Sequence, residues 1–152
     1  MKKVQVGNIY KIDTQKGFAL MQLVKIPEDT RNDIELVKIG YHLFDSLPEM
    51  NDAIFQNGYF FVKFPVKVAL RRKIIELVDG LNDPETIEVP NYFRKPHIFK
   101  KDFWMIVDRK NDRFIEVQNL SDEQLKLSPS GMWTDLLIIE RLENGWRLEN
   151  WI

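Results

Sequence analysis

The sequence predicts a mostly β fold: a β-rich α+β domain with a strongly bent antiparallel sheet or a partly open barrel, and one or two short helices. Short segments rich in β-branched and aromatic residues recur along the 152 residues, separated by Gly, Asn and Asp residues. This pattern is typical of strands joined by tight turns, which pair antiparallel. No strand pattern is followed by a long helix and a second strand, so a parallel α/β fold is not expected.

Composition indicates a single domain over residues 1–152. Hydrophobic residues make up 44% of the chain and aromatic residues 12%, which is enough to build a core. Cysteine is absent, which excludes disulfides, thiolate metal sites and thiol nucleophiles. No apolar run is long enough to span a bilayer, and no hydrophobic signal-peptide segment follows the lysines at the N-terminus. We therefore expect a cytoplasmic protein without a membrane partner.

Local patterns predict that the first half of the chain consists mainly of strands. Gly17 favours a tight turn between the first two strands, and aliphatic residues on both faces of the third indicate an internal position. A capping-box pattern begins at Ser46, and the Asn57-Gly58 pair would end the short helix that follows. In the last segment of this half, residues 67–78, β-branched residues favour a strand. The predicted elements are strands over 7–12, 18–26, 34–41, 59–64 and 67–78, and a helix over 47–56.

The second half is predicted to begin with a long loop over 82–101, which contains three prolines. Loops of this length in compact domains are often functional. A second capping box begins at Ser121, and the Asn144-Gly145 pair is a strong signal for a two-residue hairpin turn. The predicted strands of this half cover residues 103–108, 113–118, 136–142 and 146–152.

No catalytic or metal-binding motif is present, so we expect neither an enzyme nor a cofactor. His42 and His97 do not belong to an HxH or HExxH spacing, and no bound metal is expected. The G-x-S-x-G and phosphate-loop patterns are absent. Carboxylates could form an acid–base pair, but no spacing brings two of them together. The carboxylates considered are Asp45, Glu49, Asp108, Asp112 and Glu116.

Charge does not indicate a nucleic-acid-binding protein. The net charge is −1; residues 1–76 hold 12 basic and 9 acidic side chains, and residues 77–152 hold 10 basic and 14 acidic ones. Nucleic-acid-binding domains are usually basic. Small basic clusters occur at 71–73 and 100–101, and aromatic residues near the second could line a single-strand groove. Charged residues on an edge strand are the simpler interpretation.

All four tryptophans lie in the acidic second half of the chain. Trp104 and Trp151 are predicted to lie in the core. For Trp133 and Trp146, which follow turns, the choice between the core and an interface remains open, because tryptophan is also enriched among residues that anchor interfaces. The candidate partner-binding residues are Trp133, Asp135, Glu143, Trp146 and Glu149.

Two regions carry a resemblance to a known family. Segments 7–12 (GNIYKI) and 17–23 (GFALMQL) resemble the opening of the immunity protein 26 family, with Asn8 in place of the usual acidic residue. Segments 104–108 (WMIVD) and 133–146 (WTDLLIIERLENGW) extend the similarity. The family consists of bacterial proteins encoded beside polymorphic toxins. The resemblance implies a mostly β fold and neutralisation of a toxin by binding.

The leading hypothesis is therefore an immunity protein that neutralises a cognate bacterial toxin by steric occlusion. If the toxin is a basic nuclease, an acidic surface with aromatic anchors would complement its substrate groove. The alternative is a small-molecule-binding β-barrel or a small carboxylate-dependent enzyme, which a pocket with two carboxylates of raised pKa would favour. The third hypothesis is a β-barrel that binds single-stranded nucleic acid through the basic clusters, although no nucleic-acid partner is expected.

Overall fold

A computed structural model describes residues 4–29, 31–80 and 86–152 and confirms the mostly β fold. Within these residues, nine strands form two sheets, and neither sheet closes into a barrel. Three α-helices accompany them. The strands are β1 (Asn8–Thr14), β2 (Gly17–Lys25), β3 (Leu36–Gly40), β4 (Tyr59–Lys63), β5 (Ile75–Gly80), β6 (Tyr92–Pro96), β7 (Trp104–Asp108), β8 (Arg113–Val117) and β9 (Ser128–Pro129). The helices are α1 (Val66–Arg71), α2 (Asp122–Leu125) and α3 (Asp135–Glu143).

Sheet A, the five-stranded sheet, has the order β4-β3-β2-β1-β5, and all its neighbouring strands are antiparallel. The predicted β1–β2 hairpin is confirmed. Gly17 opens β2 at φ 123°, and a Cβ there would lie 2.8 Å from the carbonyl oxygen of Phe44. The internal position predicted for β3 is also confirmed, since β3 lies between β2 and β4.

Both faces of sheet A are buried. One face packs against α3 and the C-terminal aromatic residues through a core that includes Ile39 and Phe60. The other face carries two smaller apolar clusters, one containing Leu20 and the other Leu36. Successive residues of a strand point to opposite faces, so a strand covered on both sides reads as a continuous apolar run. This explains why β2 is buried at every position except its two ends.

Sheet B, the four-stranded sheet, has the order β8-β7-β6-β9. The predicted β7–β8 hairpin is confirmed, with Ile106 opposite Ile115. The prediction of a long loop over 82–101 is partly wrong, because β6 forms within it and pairs with both β7 and β9. β7 follows only seven residues later, but the prolines at 90 and 96 interrupt the strand pattern of β6, and β9 lies more than 30 residues away. Residues 82–85 of that loop lie outside the described residues.

The predicted hairpin at Asn144-Gly145 is wrong. Thr134 caps α3 by accepting a hydrogen bond from the Leu137 amide, and the helix ends in a Schellman motif. In that motif the amides of Trp146 and Gly145 donate to carbonyl oxygens in the last turn, at 2.9 and 3.3 Å. Gly145 supplies the required left-handed conformation at φ 70°. The strand predicted over 136–142 is therefore a helix, and within 146–152 the 3-10 helix Leu148–Asn150 forms instead of a strand.

Two other elements of the first half differ from the prediction. The strand expected over 67–78 divides into α1 and β5, with Lys73 at φ 60° between them. The helix expected over 47–56 shrinks to the 3-10 helix Asp52–Phe55, which Asn51 caps. Ile54 and Phe55 are adjacent in sequence, and both are buried against sheet A. The tight turn of this short helix allows both side chains to reach the sheet. In both segments packing against sheet A overrides the local preference.

Arg94 of β6 joins the two sheets to the C-terminal segment. Its side chain is fully buried, and its guanidinium lies over the Trp104 and Trp151 rings, 4.6 and 4.5 Å from their centroids. Burial lowers the pKa of Arg94 to about 10. The guanidinium donates hydrogen bonds of 2.5 to 3.2 Å to the backbone carbonyls of Leu125, Leu127, Leu148 and Trp151.

Candidate protein-binding surface

Trp133 and Trp146 lie in an aromatic cluster packed on sheet A. Trp133 is 9% exposed, and its ring centroid lies 5.5 Å from that of Phe60 and 5.1 Å from that of Trp146. Trp146 is half-buried, 5.1 Å from Phe60 and 5.9 Å from Trp151. The structure therefore assigns both rings to the core, where they offer a partner little surface. Trp104 and Trp151, predicted to lie in the core, are each half-buried, and their rings meet edge to face at 5.0 Å.

The three predicted acidic residues occupy separate positions around α3. Asp135 begins the helix and Glu149 is exposed in the following 3-10 helix. The Glu143 carboxylate accepts a hydrogen bond of 2.7 Å from the Gln15 amide, and its carbonyl accepts one of 2.9 Å from Lys16 Nζ. Glu143 therefore ties the end of α3 to the β1–β2 turn. Partner binding by Trp133, Asp135, Glu143, Trp146 and Glu149 stays a prediction.

Exposed apolar side chains are found instead on sheet B. Phe114 and Ile115 are 58% and 59% exposed, although they stand in the middle of β8. The two point to opposite faces of the sheet. Tyr92 of β6 is also exposed and shares a shallow groove with Ile115. Adjacent exposed apolar residues of this kind mark interaction sites more often than single ones do.

A structured loop, residues 97–103, lies against β8 and is called here the His97 loop. His97 Nδ1 accepts hydrogen bonds of 3.0 Å from the amides of Phe99 and Lys100. A ring nitrogen that accepts carries no proton, so Nε2–H donates to the Glu116 carboxylate at 2.9 Å. Lys100 Nζ binds the same carboxylate at 2.6 Å. Hydrogen bonds from Lys100 and His97 hold the pKa of Glu116 below its usual range.

The His97 loop presents two apolar side chains to solvent. Ile98 is 74% exposed and Phe99 is 89% exposed. They follow directly on His97, so the contacts that fix the loop also fix where these two side chains stand relative to β8. The His97 loop and β8 together form one surface, which we call the sheet B edge. No sequence pattern distinguished these apolar residues from core residues, because their exposure depends on what packs over them.

The sheet B edge carries positive charge. Its two segments, 97–103 and 113–117, together hold three basic and two acidic side chains, whereas residues 119–152 hold three basic and six acidic ones. The acidic balance of the second half therefore arises outside this edge, from residues 77–94 and from residues 119–152. The basic cluster at 100–101 belongs to this edge, while the cluster at 71–73 begins at the last residue of α1, a helix that contacts β5 of sheet A. The two clusters are thus carried by different sheets.

A cleft of about 250 Å³ lies between the sheets. Burial alone would raise the pKa of Asp33 in its wall, but hydrogen bonds from Lys63 Nζ at 2.6 Å and from the Ile34 amide outweigh it, so this pKa lies below its usual value. The pKa of Asp108 and that of Glu116 are also lowered. A general acid needs a raised pKa, so these carboxylates do not favour the enzyme hypothesis.

Residues 4–29, 31–80 and 86–152 contain neither a metal-binding cluster nor a helix that could span a membrane. Within them, no group of three His, Asp or Glu side chains converges in a way that could hold a metal ion. None of the helices there is long and apolar enough to cross a membrane. Comparisons of the chain with protein-family models, with curated proteins and with solved structures give no match. The immunity protein 26 resemblance therefore depends on the residues quoted for it.

Proposed function

We propose that this chain is an immunity protein that binds a cognate bacterial toxin and occludes its active site. The observation that carries the proposal is the sheet B edge, where Ile98, Phe99, Phe114 and Ile115 are all exposed, with Phe114 and Ile115 on opposite faces of β8. Large apolar side chains held rigidly at a surface supply the anchors of tight interfaces at little entropic cost. The resemblance in segments 7–23 and 104–146 supports the same function.

The charges of the sheet B edge favour an acidic contact on the toxin. An acidic surface against a basic nuclease groove was expected from the second half of the chain, but the apolar anchors stand among basic residues instead. Charge complementarity speeds association and excludes wrong partners. Asp135, Glu143 and Glu149 would then lie outside the main contact or at its rim.

Co-expression with the toxin encoded beside this gene tests the proposal. The wild-type chain is expected to protect cells from the toxin and to co-purify with it. The double variant Phe99→Ala/Ile115→Ala should lose both properties while its melting temperature stays within a few degrees of wild type. Leu136→Ala is the matched control, because Leu136 on α3 is also 74% exposed but lies outside the sheet B edge.

Three outcomes would count against this assignment. Protection without a physical complex would point to an enzyme that modifies the toxin or its target. Loss of protection by Leu136→Ala or by Glu149→Lys, with Phe99→Ala/Ile115→Ala unaffected, would move the interface to α3. Strongly salt-dependent binding of single-stranded nucleic acid would favour the third hypothesis.

A further inference from the structure

The outer side of β8 is an edge that nothing in the described part of the chain covers. β8 pairs with β7 on one side only. In an antiparallel pair, alternate residues direct their N–H and C=O groups away from the partner. About half of the backbone groups of Arg113–Val117 therefore face outward. Such a row is a template for pairing with another strand.

The edges of sheet A are treated differently. At β4, the amide of Phe61 donates to Ser128 Oγ at 2.9 Å, and the carbonyl of Lys63 accepts from the Trp133 amide at 3.0 Å. At β5, the fully exposed positions are the charged residues Glu76 and Asp79. Covering and charging an edge are two common ways of preventing strand addition. No described segment covers the free edge of β8, and its exposed side chains include the apolar Phe114 and Ile115.

We propose that β8 receives an added strand from the partner, and that this strand alternates apolar with acidic residues. The inference rests on the proposed function, in that it assumes a protein partner. Main-chain hydrogen bonds to β8 would supply affinity. The apolar residues of the added strand would pack beside Phe114 on one face, and its acidic residues would lie beside Arg113 on the other face, because successive side chains alternate between faces. The His97 loop would border the strand with Ile98 and Phe99.

The charge of the sheet B edge favours an acidic strand, rather than a second copy of this chain, as the partner of β8. Antiparallel pairing of β8 with itself, centred on Ile115, would place two edges side by side, each with three basic and two acidic residues. Like charges brought together in this way oppose association. An acidic strand neutralises the same surface, and Lys101 and Arg113 stand on it without an ion pair to any described residue.

The probe is a synthetic peptide of about eight residues in which glutamate and valine alternate, since strands of this length are common. Its matched control replaces every glutamate with lysine. Amide hydrogen exchange of the full chain is measured with each peptide at millimolar concentration. The acidic peptide is expected to slow exchange at alternate amides of 113–117 by about tenfold or more, and to leave α3 unchanged. Raising the salt from about 50 to 500 mM should weaken this protection.

Variants separate backbone pairing from loose apolar contact. Ile115→Glu should abolish the protection, because it places a carboxylate beside Arg113 on the face where the acidic residues of the peptide would lie, whereas Leu136→Glu should not change it. Equal protection by the lysine peptide, or no protection of β8 by the acidic one, would overturn the inference. So would protection of β8 that rises with the concentration of the chain alone, since that outcome would identify a second copy as the occupant.

The two proposals can fail separately. If the toxin co-purifies but β8 gains no protection in that complex, strand addition is wrong and the immunity function stands. If the acidic peptide protects β8 but no complex with the toxin forms, the strand-binding edge stands and the immunity function is wrong.

Discussion

The two sheets of this protein use apolar residues for different purposes. In sheet A, β2 is buried at seven of its nine positions, with aromatic residues and α3 on one face and two smaller clusters on the other. In sheet B, β8 is exposed at four of its five positions, although it contains Phe114 and Ile115. Apolar strands therefore have two roles here. Those of sheet A stabilise the fold, and β8 remains available to a partner.

Arg94 lies between these two regions. It belongs to sheet B, yet its hydrogen bonds reach the C-terminal segment that packs on sheet A. Burial decreases from β6 to β8 across sheet B. Substitutions in β8 should therefore change the free energy of unfolding less than substitutions in β6. The following predictions test that gradient, beginning with the largest expected effect.

Arg94→Met is expected to destabilise the protein by about 3–5 kcal/mol. The substitution removes the shared donor from one buried and three partly buried carbonyl groups, and a buried unsatisfied group costs about 1–3 kcal/mol. Urea unfolding followed by tryptophan fluorescence and circular dichroism measures the loss. Lys95→Met, one residue along on the opposite face, is the control and should cost less than about 1 kcal/mol. A small loss for Arg94→Met would show that Arg94 does not hold the two regions together.

Ile39→Ala and Ile115→Ala compare the same substitution in the two sheets. Ile39 is fully buried in β3, so its truncation should cost about 2–5 kcal/mol. Ile115 is 59% exposed in β8, so its truncation should change stability by no more than about 0.5 kcal/mol. Chemical unfolding of the two variants checks the difference. Similar losses would mean that β8 is part of the core, and the contrast between the sheets would fail.

Gly145→Val should destabilise the protein by about 1–2 kcal/mol, although no hairpin exists there. Gly145 has φ 70°, where a side chain clashes with its own backbone. No other atom lies within 4 Å of the position of a Cβ, so the cost is expected to come from the backbone alone. Thermal unfolding of this variant beside Asn144→Ala, whose φ of −92° suits any residue, isolates the effect. An unchanged melting temperature would contradict the Schellman geometry.

Asp33→Asn should have the smallest effect, about 0.5 kcal/mol at pH 7, since its ion pair with Lys63 is partly exposed. The pKa of Asp33 is lower in the folded state than its ordinary value. Its contribution is therefore present above the unfolded pKa of about 4 and is lost as the pH falls through the folded pKa. The two proteins should converge in stability as the pH approaches 3. A constant difference across this range would show that the carboxylate charge is not responsible.

Local signals predicted the elements whose partners are close in sequence. The β1–β2 and β7–β8 hairpins each have a short turn between two apolar strands, and both were found. Helix α3 was missed because its apolar run suits a strand equally well. Ile138 and Leu142, four residues apart and both buried, together with Thr134 at the N-cap, are the signals that distinguish the helix.

The candidate surface depended on information that no sequence pattern contains. Phe114 and Ile115 have the composition of core residues, and the sequence does not show that β8 would be left at the edge of sheet B. Trp133 and Trp146 have the composition of interface anchors, yet packing on Phe60 places them in the interior. The burial of the two tryptophans depends on Phe60, more than 70 positions away, and the exposure of β8 on whether any distant segment covers it, and a local pattern contains neither.

The sequence alone determined the mostly β class, the main turns and the absence of cysteine chemistry, because these follow from residue type and short-range spacing. Tertiary packing decided which apolar strand is covered and which stays exposed. It also decided that Arg94 is buried, that residues 136–142 form a helix and that positive charge collects on the sheet B edge. The physical reason is that burial and charge proximity are properties of contacts between distant segments, and those contacts exist only once the chain has folded.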